Sequence, residues 1–144
     1  VDILFVCTGN TCRSPMAAAI AGVVFANRGL IIASRGVAVV EAAPSANALL
    51  AVMDGHKCDI SAHIPTQIAA ADMEIARIII TMTPAHKSHL LHYFPDYAKK
   101  VHTLADHVGE SLHIADPYGG NLAQYIACAA QLADYIKKME AAYE

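Results

Sequence analysis

Short apolar runs alternate with stretches of helical periodicity along the whole chain. The run Ile3-Leu4-Phe5-Val6 lies in a first strand expected over Val1 to Val6. Leu30 to Ser34 is a second short apolar run. Arg77 to Thr81, with Ile78-Ile79-Ile80 inside it, is the clearest central strand, and Val101 to Leu104 is a fourth. Helices are predicted between them. The first runs from Ser14 to about Asn27 and is closed by Arg28-Gly29. Ser45 to Asp54 is the second, with Asn47, Leu49, Leu50 and Met53 in period and Gly55 ending it. Thr66 to Ala71 is a short helix or turn leading to Asp72. Pro84 opens a helix through about Tyr93, which Phe94-Pro95-Asp96 ends. Ala105 to Ala115 reads mostly as loop. Leu122 to Tyr143 is a long helix whose expected apolar face is Ile126, Ala129, Leu132, Ala133, Ile136 and Met139.

Apolar strands alternating with helices predict an α/β fold, a four-stranded parallel sheet flanked by helices on both faces in a Rossmann-like three-layer arrangement. Right-handed crossovers put a ligand at the carboxyl edge of such a sheet. Cys7 follows the first strand, Ser34 the second, and Asp116 lies in a loop after the fourth, so all three are expected to meet there. No repeat or linker interrupts the pattern, and 144 residues favour one domain over 1–144. Hydrophobic residues make up 56% and aromatics only 6%, so the core is expected to be Ala, Ile, Leu and Val. The net charge of −3 argues against nonspecific nucleic-acid binding, which needs a basic footprint. No apolar run of about 18 residues appears, so no membrane span is expected. The start of the chain lacks a basic region and a cleavage site, and is not read as a signal peptide.

The chemistry concentrates in Cys7-Thr8-Gly9-Asn10-Thr11-Cys12-Arg13-Ser14. A sulfur stands at the end of a strand, and an arginine stands at the mouth of a helix. The loop between them offers backbone N–H groups, reinforced by the helix N-terminus, to a tetrahedral oxyanion such as phosphate. Arg13 adds a planar fork for two phosphate oxygens. Gly9 and Asn10 tolerate the backbone angles that close such a loop. Ser14 is expected as the N-cap, with Pro15 at the first helical position. The same field favours the thiolate of Cys7, and the Ser14 hydroxyl is placed to donate to it. In-line attack on phosphorus then gives a phosphocysteine. Taken alone, a cysteine after an apolar strand is more often a small core residue; strand, glycine, arginine and Ser-Pro in register with a helix favour the nucleophile.

The stretch Val6 to Ala17 resembles the signature loop of the low-molecular-weight protein tyrosine phosphatase family almost letter for letter. Ala33-Ser34-Arg35-Gly36-Val37 resembles a degraded form of the family's Ser-Ala-Gly segment. Ile60-Ser61-Ala62-His63 and Asp116-Pro117-Tyr118 are also similar to family segments, in the right order along nearly the whole chain. The resemblance implies Cys7 as nucleophile, Arg13 as phosphate clamp, Asn10 and Ser14 as loop stabilisers, Ser34 as a brace for Asn10 and Asp116 as general acid. Thr8, Thr11 and Asp116-Pro117-Tyr118-Gly119-Gly120 look most like the bacterial protein arginine phosphatase branch. Tyrosine-directed members commonly carry Ile where this chain has Thr11, and two aromatics where it has Tyr118-Gly119. Ala18 departs from the family's usual Glu. The substrates implied are phosphorylated proteins, with no cofactor and no metal.

The residues themselves support the acid. Pro117 holds Asp116 in extended backbone, and one carboxyl can protonate the leaving group and then activate water. The competing reading is a plain surface turn, which Asp-Pro-x-Gly-Gly also fits. Asp106 and Asp96 are weaker candidates, both expected to be solvated. Tyr118 is expected on the pocket wall, where it suits a phenyl ring or a guanidinium equally. Thr11 is the better discriminator, because its hydroxyl can hydrogen-bond a guanidino nitrogen; the competing reading of Thr11 is simple loop filling. A phosphotyrosine phosphatase is the alternative reading. Arsenate reduction on this fold needs further relay cysteines, and Thr81 to Tyr93 has none. The four cysteines, Cys7, Cys12, Cys58 and Cys128, lack zinc spacing and fit a reducing cytoplasm; a reversible Cys7–Cys12 disulfide would shield the nucleophile. His86, His89 and His92 are expected on a solvated helix face.

Overall fold

The computed structural model describes residues 1–143; Glu144, the last residue of the expected domain, lies outside them. Four strands, β1 (Ile3–Cys7), β2 (Ile32–Gly36), β3 (Ile78–Thr81) and β4 (Val101–Thr103), form one sheet in the order β2-β1-β3-β4. All three pairings are parallel. Six α-helices connect and cover them: α1 (Arg13–Val24), α2 (Ala46–His56), α3 (Ala70–Ile75), α4 (Pro84–Tyr93), α5 (Leu104–Val108) and α6 (Leu122–Ala141). This is the α/β architecture expected from the alternating pattern.

Every residue of β1 is buried, because both faces of the sheet are covered. Ile3, Phe5 and Cys7 face a large core shared with Met16 and Ile20 of α1, Val52 of α2 and Ile136 of α6. Leu4 and Val6 face a smaller core with Ile79, Met73 of α3 and Leu90 of α4. The period-two alternation of a strand thus divides one continuous apolar run between two cores. It also fixes Cys7 on the α1–α6 side.

The chain leaves β1 to one side for β2 and returns to its other side for β3. The strand order therefore reverses between β1 and β3, and a crevice opens outside their carboxyl ends. The loop after β1 occupies this crevice. The segment after α5 is drawn to the same place, where the Ile114 amide donates to the Met82 carbonyl at 3.2 Å, just past β3.

Several boundaries differ from expectation for identifiable reasons. The first helix stops at Val24, and a 3-10 turn over Ala26–Arg28 leads to Gly29 at φ 67°. α2 runs past Gly55 and ends at Lys57, itself left-handed at φ 57°. The buried side of α2 is Ala48, Ala51 and Val52, while Leu50 and Met53 are exposed, so its large apolar residues misstate the inward face. Gln67 does not begin a helix; it bridges to Gly36 at the sheet edge, and α3 starts three residues later. Thr103 accepts from the Asp106 amide and caps α5 inside the stretch expected as loop. Ile126 is 46% exposed and lies outside the buried stripe of α6.

Gly36, the partner of Cys7 across the β1–β2 pair, is fixed by a close approach. A Cβ there would lie 2.7 Å from the Thr8 carbonyl oxygen and 2.9 Å from Asn10 Cβ. Gly36→Ala should therefore destabilise the fold by about 2 kcal/mol through overpacking. Thermal unfolding measures this, and an unchanged Tm would mean that the loop yields at no cost.

Candidate active site

The chain leaves β1 at Cys7, turns through Thr8 to Cys12 and enters α1 at Arg13. The turn depends on Asn10, which sits at φ 57° in the left-handed region. Its side chain is fully buried and fully bonded. Nδ2 donates to Ser14 Oγ at 2.8 Å and to Ser34 Oγ at 2.9 Å. Oδ1 accepts from the Thr66 amide at 2.9 Å, and the Asn10 carbonyl accepts from His63 Nε2 at 2.8 Å. A left-handed residue with these bonds ties the loop to β2, to α1 and to the 63–66 segment.

The carbonyls of the loop are committed elsewhere. Those of Cys7, Thr8, Thr11 and Cys12 accept from Val37, Ala38, Ser45 and Met16 at 3.0, 2.9, 2.9 and 3.0 Å. Among the described residues, the amides of Thr8 to Cys12 donate to no protein acceptor. The loop therefore offers donors rather than acceptors, at the start of a helix, which is the polarity an anion requires.

Cys7 is 2% exposed, and its Sγ lies 2.9 Å from Ser14 Oγ. Ser14 Oγ already accepts from Asn10, so its own hydrogen is available to the sulfur. The other acceptor within reach, the Arg35 carbonyl, is farther, at 3.4 Å. This corrects the expected capping role. The N-cap is Cys12, which makes no side-chain cap bond; Ser14 lies inside the first turn and serves the sulfur instead. Pro15 accordingly falls at the third helical position, still within the turn where no intrahelical donor is lost.

Arg13 is buried beneath the loop. One terminal nitrogen donates to the Ile114 carbonyl at 2.9 Å, and the other lies 3.5 Å from an Asp116 oxygen. Its Nε is buried and has no acceptor among the described residues. A buried charged donor left this way costs free energy unless a ligand supplies the acceptor.

Asp116 reaches the site through the segment after Ile114, and its side chain is 46% exposed. It accepts from the Tyr118 amide at 3.0 Å. Pro117 is buried, whereas Tyr118 is 75% exposed at the rim. Beyond them Asn121 and Gln124 exchange side-chain-to-amide bonds of 3.0 and 2.8 Å, which pins the segment to the start of α6. A cleft of about 190 Å³ is lined by Cys7, Thr11, Arg13, Glu41, Asp116 and Tyr118, among others. Asp96 and Asp106 do not line it. A larger hollow of about 490 Å³, lined by Asp2, Arg77 and His107, contains none of these groups and lacks a nucleophile.

Cys12 is also buried at the site, and burial with the neighbouring Cys7 and Asp116 pushes its thiol up to about 12. It stays protonated at neutral pH, 3.9 Å from an Asp116 oxygen. All four cysteines are free, and Cys58 and Cys128 are buried thiols. Arg35, where the resembling segment has a small residue, ion-pairs with Asp72 at 3.2 Å.

One histidine departs from the solvated face expected for all three. His89 and His92 are exposed, but His86 is 5% exposed and belongs to the loop's support. Thr83 caps α4 by accepting from the His86 amide at 3.4 Å, and its hydroxyl lies 3.1 Å from His86 Nδ1. His86 Nε2 lies 2.8 Å from Thr8 Oγ1. The neutral imidazole is thus bonded through both ring nitrogens, one donating and one accepting, between Thr8 and Thr83. Burial and the nearby Arg13 charge push the imidazole down to about 4, so it is neutral at pH 7. The sequence signal is the Thr-Pro-x-His spacing, a helix cap that turns its third residue back toward the cap.

A parallel α/β sheet with this loop at its switch point defines a cysteine-loop phosphatase class. The family model for low molecular weight phosphotyrosine protein phosphatase matches residues 2–143, and the chain belongs to that family. It is accordingly a protein phosphatase. It is similar to the low molecular weight protein-tyrosine-phosphatase PtpB of Staphylococcus epidermidis, 36% identical over 146 aligned positions that cover 100% of both chains. It is similar as well to the protein-arginine-phosphatase of Bacillus subtilis, 32% identical with 96% of this chain and 94% of that one covered. Among solved structures, the YwlE arginine phosphatase, a cysteine-to-serine mutant with a phosphorylated active-site serine, superposes with TM-score 0.91 at 31% identity over 98% of this chain and 94% of its own.

The depressed His86 makes a pH prediction. Its folded value, about 4, lies below the ordinary imidazole value of 6.5, so the unfolded chain binds the proton first. Its contribution to stability is complete above about pH 6.5 and is lost as pH falls toward 4. The loss is on the order of 2 kcal/mol. His86→Gln should flatten the fall in Tm between pH 7 and pH 4.5 that the wild type shows. An identical slope in both proteins would assign the fall to other groups.

Proposed function

We propose that this chain hydrolyses phosphoarginine in proteins through a phosphocysteine intermediate. The observation that carries the substrate choice is Thr11 on the cleft wall beside Asp116. A threonine hydroxyl can accept from a guanidino N–H, and the Asp116 carboxyl, protonated to act as the acid, still offers its carbonyl oxygen to a second one. A neutral phenyl ring would gain from neither. Only one aromatic, Tyr118, follows Asp116-Pro117, and Gly119 takes the next place. The likeness to a protein-arginine-phosphatase supports the reading. The phosphotyrosine reading is favoured by the Tyr118 ring at the rim and by the likeness to PtpB.

The chemistry proceeds in two displacements. Cys7 Sγ attacks phosphorus in line, the P–N bond breaks, and the leaving guanidino nitrogen takes the proton of Asp116. In the second step the Asp116 carboxylate removes a proton from water, which attacks the phosphocysteine; the P–S bond breaks and phosphate leaves. The free loop amides and the Nε and Nη2 of Arg13 hold the equatorial oxygens in both transition states. Ser14 donates to the sulfur as it departs. Asn10, Ser34, His63 and Thr66 keep the loop in shape throughout. The phosphorylated serine of the mutant YwlE structure is a stable counterpart of this intermediate on a relative.

Matched phosphoarginine and phosphotyrosine peptides test the reading. The wild type should prefer phosphoarginine in kcat/KM, and Thr11→Ile should move the ratio toward phosphotyrosine by about tenfold or more. A wild-type preference for phosphotyrosine would overturn the substrate assignment and leave the mechanism intact. Cys7→Ser should abolish turnover. Asp116→Asn should lower kcat by about 10²–10⁴ with a much smaller effect on KM.

A further inference from the structure

The cleft over Cys7 does not end at its rim. It continues into a second hollow of about 660 Å³, and the two share Thr11, Glu41 and Tyr118 along their boundary. Pro44, Asn47 and Tyr125 line the far side of this hollow. A side chain whose phosphoryl group sits on the Cys7 loop belongs to a polypeptide that must leave the cleft, and this hollow is continuous with it.

Its charge is one-sided. Among the described residues, Glu41 is the only acid or base, tyrosines aside, that lines the hollow. The inner cleft adds Asp116 at the same rim, and its single cation, Arg13, is buried beneath the loop. Glu41 makes no ion pair and no side-chain hydrogen bond among the described residues, and it is exposed. An exposed acid without an internal partner, beside a hollow that adjoins the reacting centre, is free to pair with a cation on the substrate.

We propose that Glu41 selects substrates carrying a lysine or arginine next to the phosphorylated residue, with the flanking segment lying in the second hollow. This rests on the reading that the substrate is a phosphorylated protein, and not on which residue carries the phosphoryl group. The phosphate's charge is met by Arg13 and the loop amides. The flanking residue instead meets Glu41, so a basic neighbour is drawn in and an acidic one is repelled. A neighbouring cation also offsets the substrate's own phosphoryl charge, which suits a rim whose unpaired charge is negative.

The test uses peptides with phosphoarginine or phosphotyrosine at the centre and either lysine or glutamate at the flanking positions. In the wild type the lysine peptides should be favoured by about fivefold in kcat/KM at low salt, mostly through KM, and less as salt is raised. Glu41→Gln should shrink that ratio, and Glu41→Lys should invert it. A ratio that stays the same in Glu41→Lys would overturn the proposal. The lysine-to-glutamate ratio is read separately within each phosphoresidue series. A wild type active only on phosphotyrosine would thus defeat the arginine reading, while the ratio in that series would still decide for or against Glu41.

Discussion

Asn10 is the point on which the site depends. A loop whose amides are left without protein acceptors is held only through its carbonyls and side chains, so its shape is imposed largely from outside. One buried amide does this, in a left-handed conformation, with bonds to Ser14, Ser34 and Thr66. Each bond reaches a different part of the chain: the first turn of α1, the end of β2 and the segment that bridges to β2. The loop's own carbonyls reach Val37, Ala38 and Ser45. Losing one partner of such a network strands buried polar groups, so the network holds as a unit.

The sheet supplies the rest. Because β1 is central and the strand order reverses beside it, Cys7, the proposed nucleophile, stands at the edge position where connections from both sides converge. β2 delivers Ser34, β3 delivers the cap of α4 and with it His86, and the segment after α5 delivers Arg13's carbonyl partner and Asp116. The polar machinery is thus gathered by apolar packing. Cys7 itself is one of the core residues of β1, alternating with Val6 across the sheet.

The sequence is informative where local chemistry decides structure. The β1–loop–α1 segment is legible because an apolar run, a glycine, an arginine and a Ser-Pro step constrain the backbone together. The four strands fall within about two residues of their expected ends, a usual margin for element boundaries. What escapes is settled by contacts from elsewhere. Ser14 has the chemistry of a cap and serves a sulfur, because Asn10 arrives to bond it. His86 reads as one of three surface histidines, because nothing local says that Thr8 will be its partner. Leu50, Met53 and Ile126 read as core by size, yet α2 buries Ala48, Ala51 and Val52 instead, and the buried stripe of α6 runs through Tyr125, Ala129, Leu132 and Ile136. Glu41 carries no local signal at all.

The proposed nucleophile, Cys7, and the proposed acid, Asp116, are held with unequal firmness. Displacing the Cys7 loop means breaking bonds to β2, α2's first turn, α1 and the 63–66 segment together, so its opening approaches unfolding of the whole molecule. Past Ile114, the stretch carrying Asp116 has fewer ties: the 3.5 Å pair with Arg13, the Tyr118 amide, a Gly120-to-Pro117 bond of 2.8 Å and the α6 capping box. It can lift away at far smaller cost. On the proposed mechanism, warming should therefore stop proton delivery while the thiol and its cradle remain assembled. Activity towards phosphates whose leaving group needs no proton would then outlast activity towards natural substrates, and thermal inactivation followed with an activated chromogenic ester would overstate the enzyme's working range.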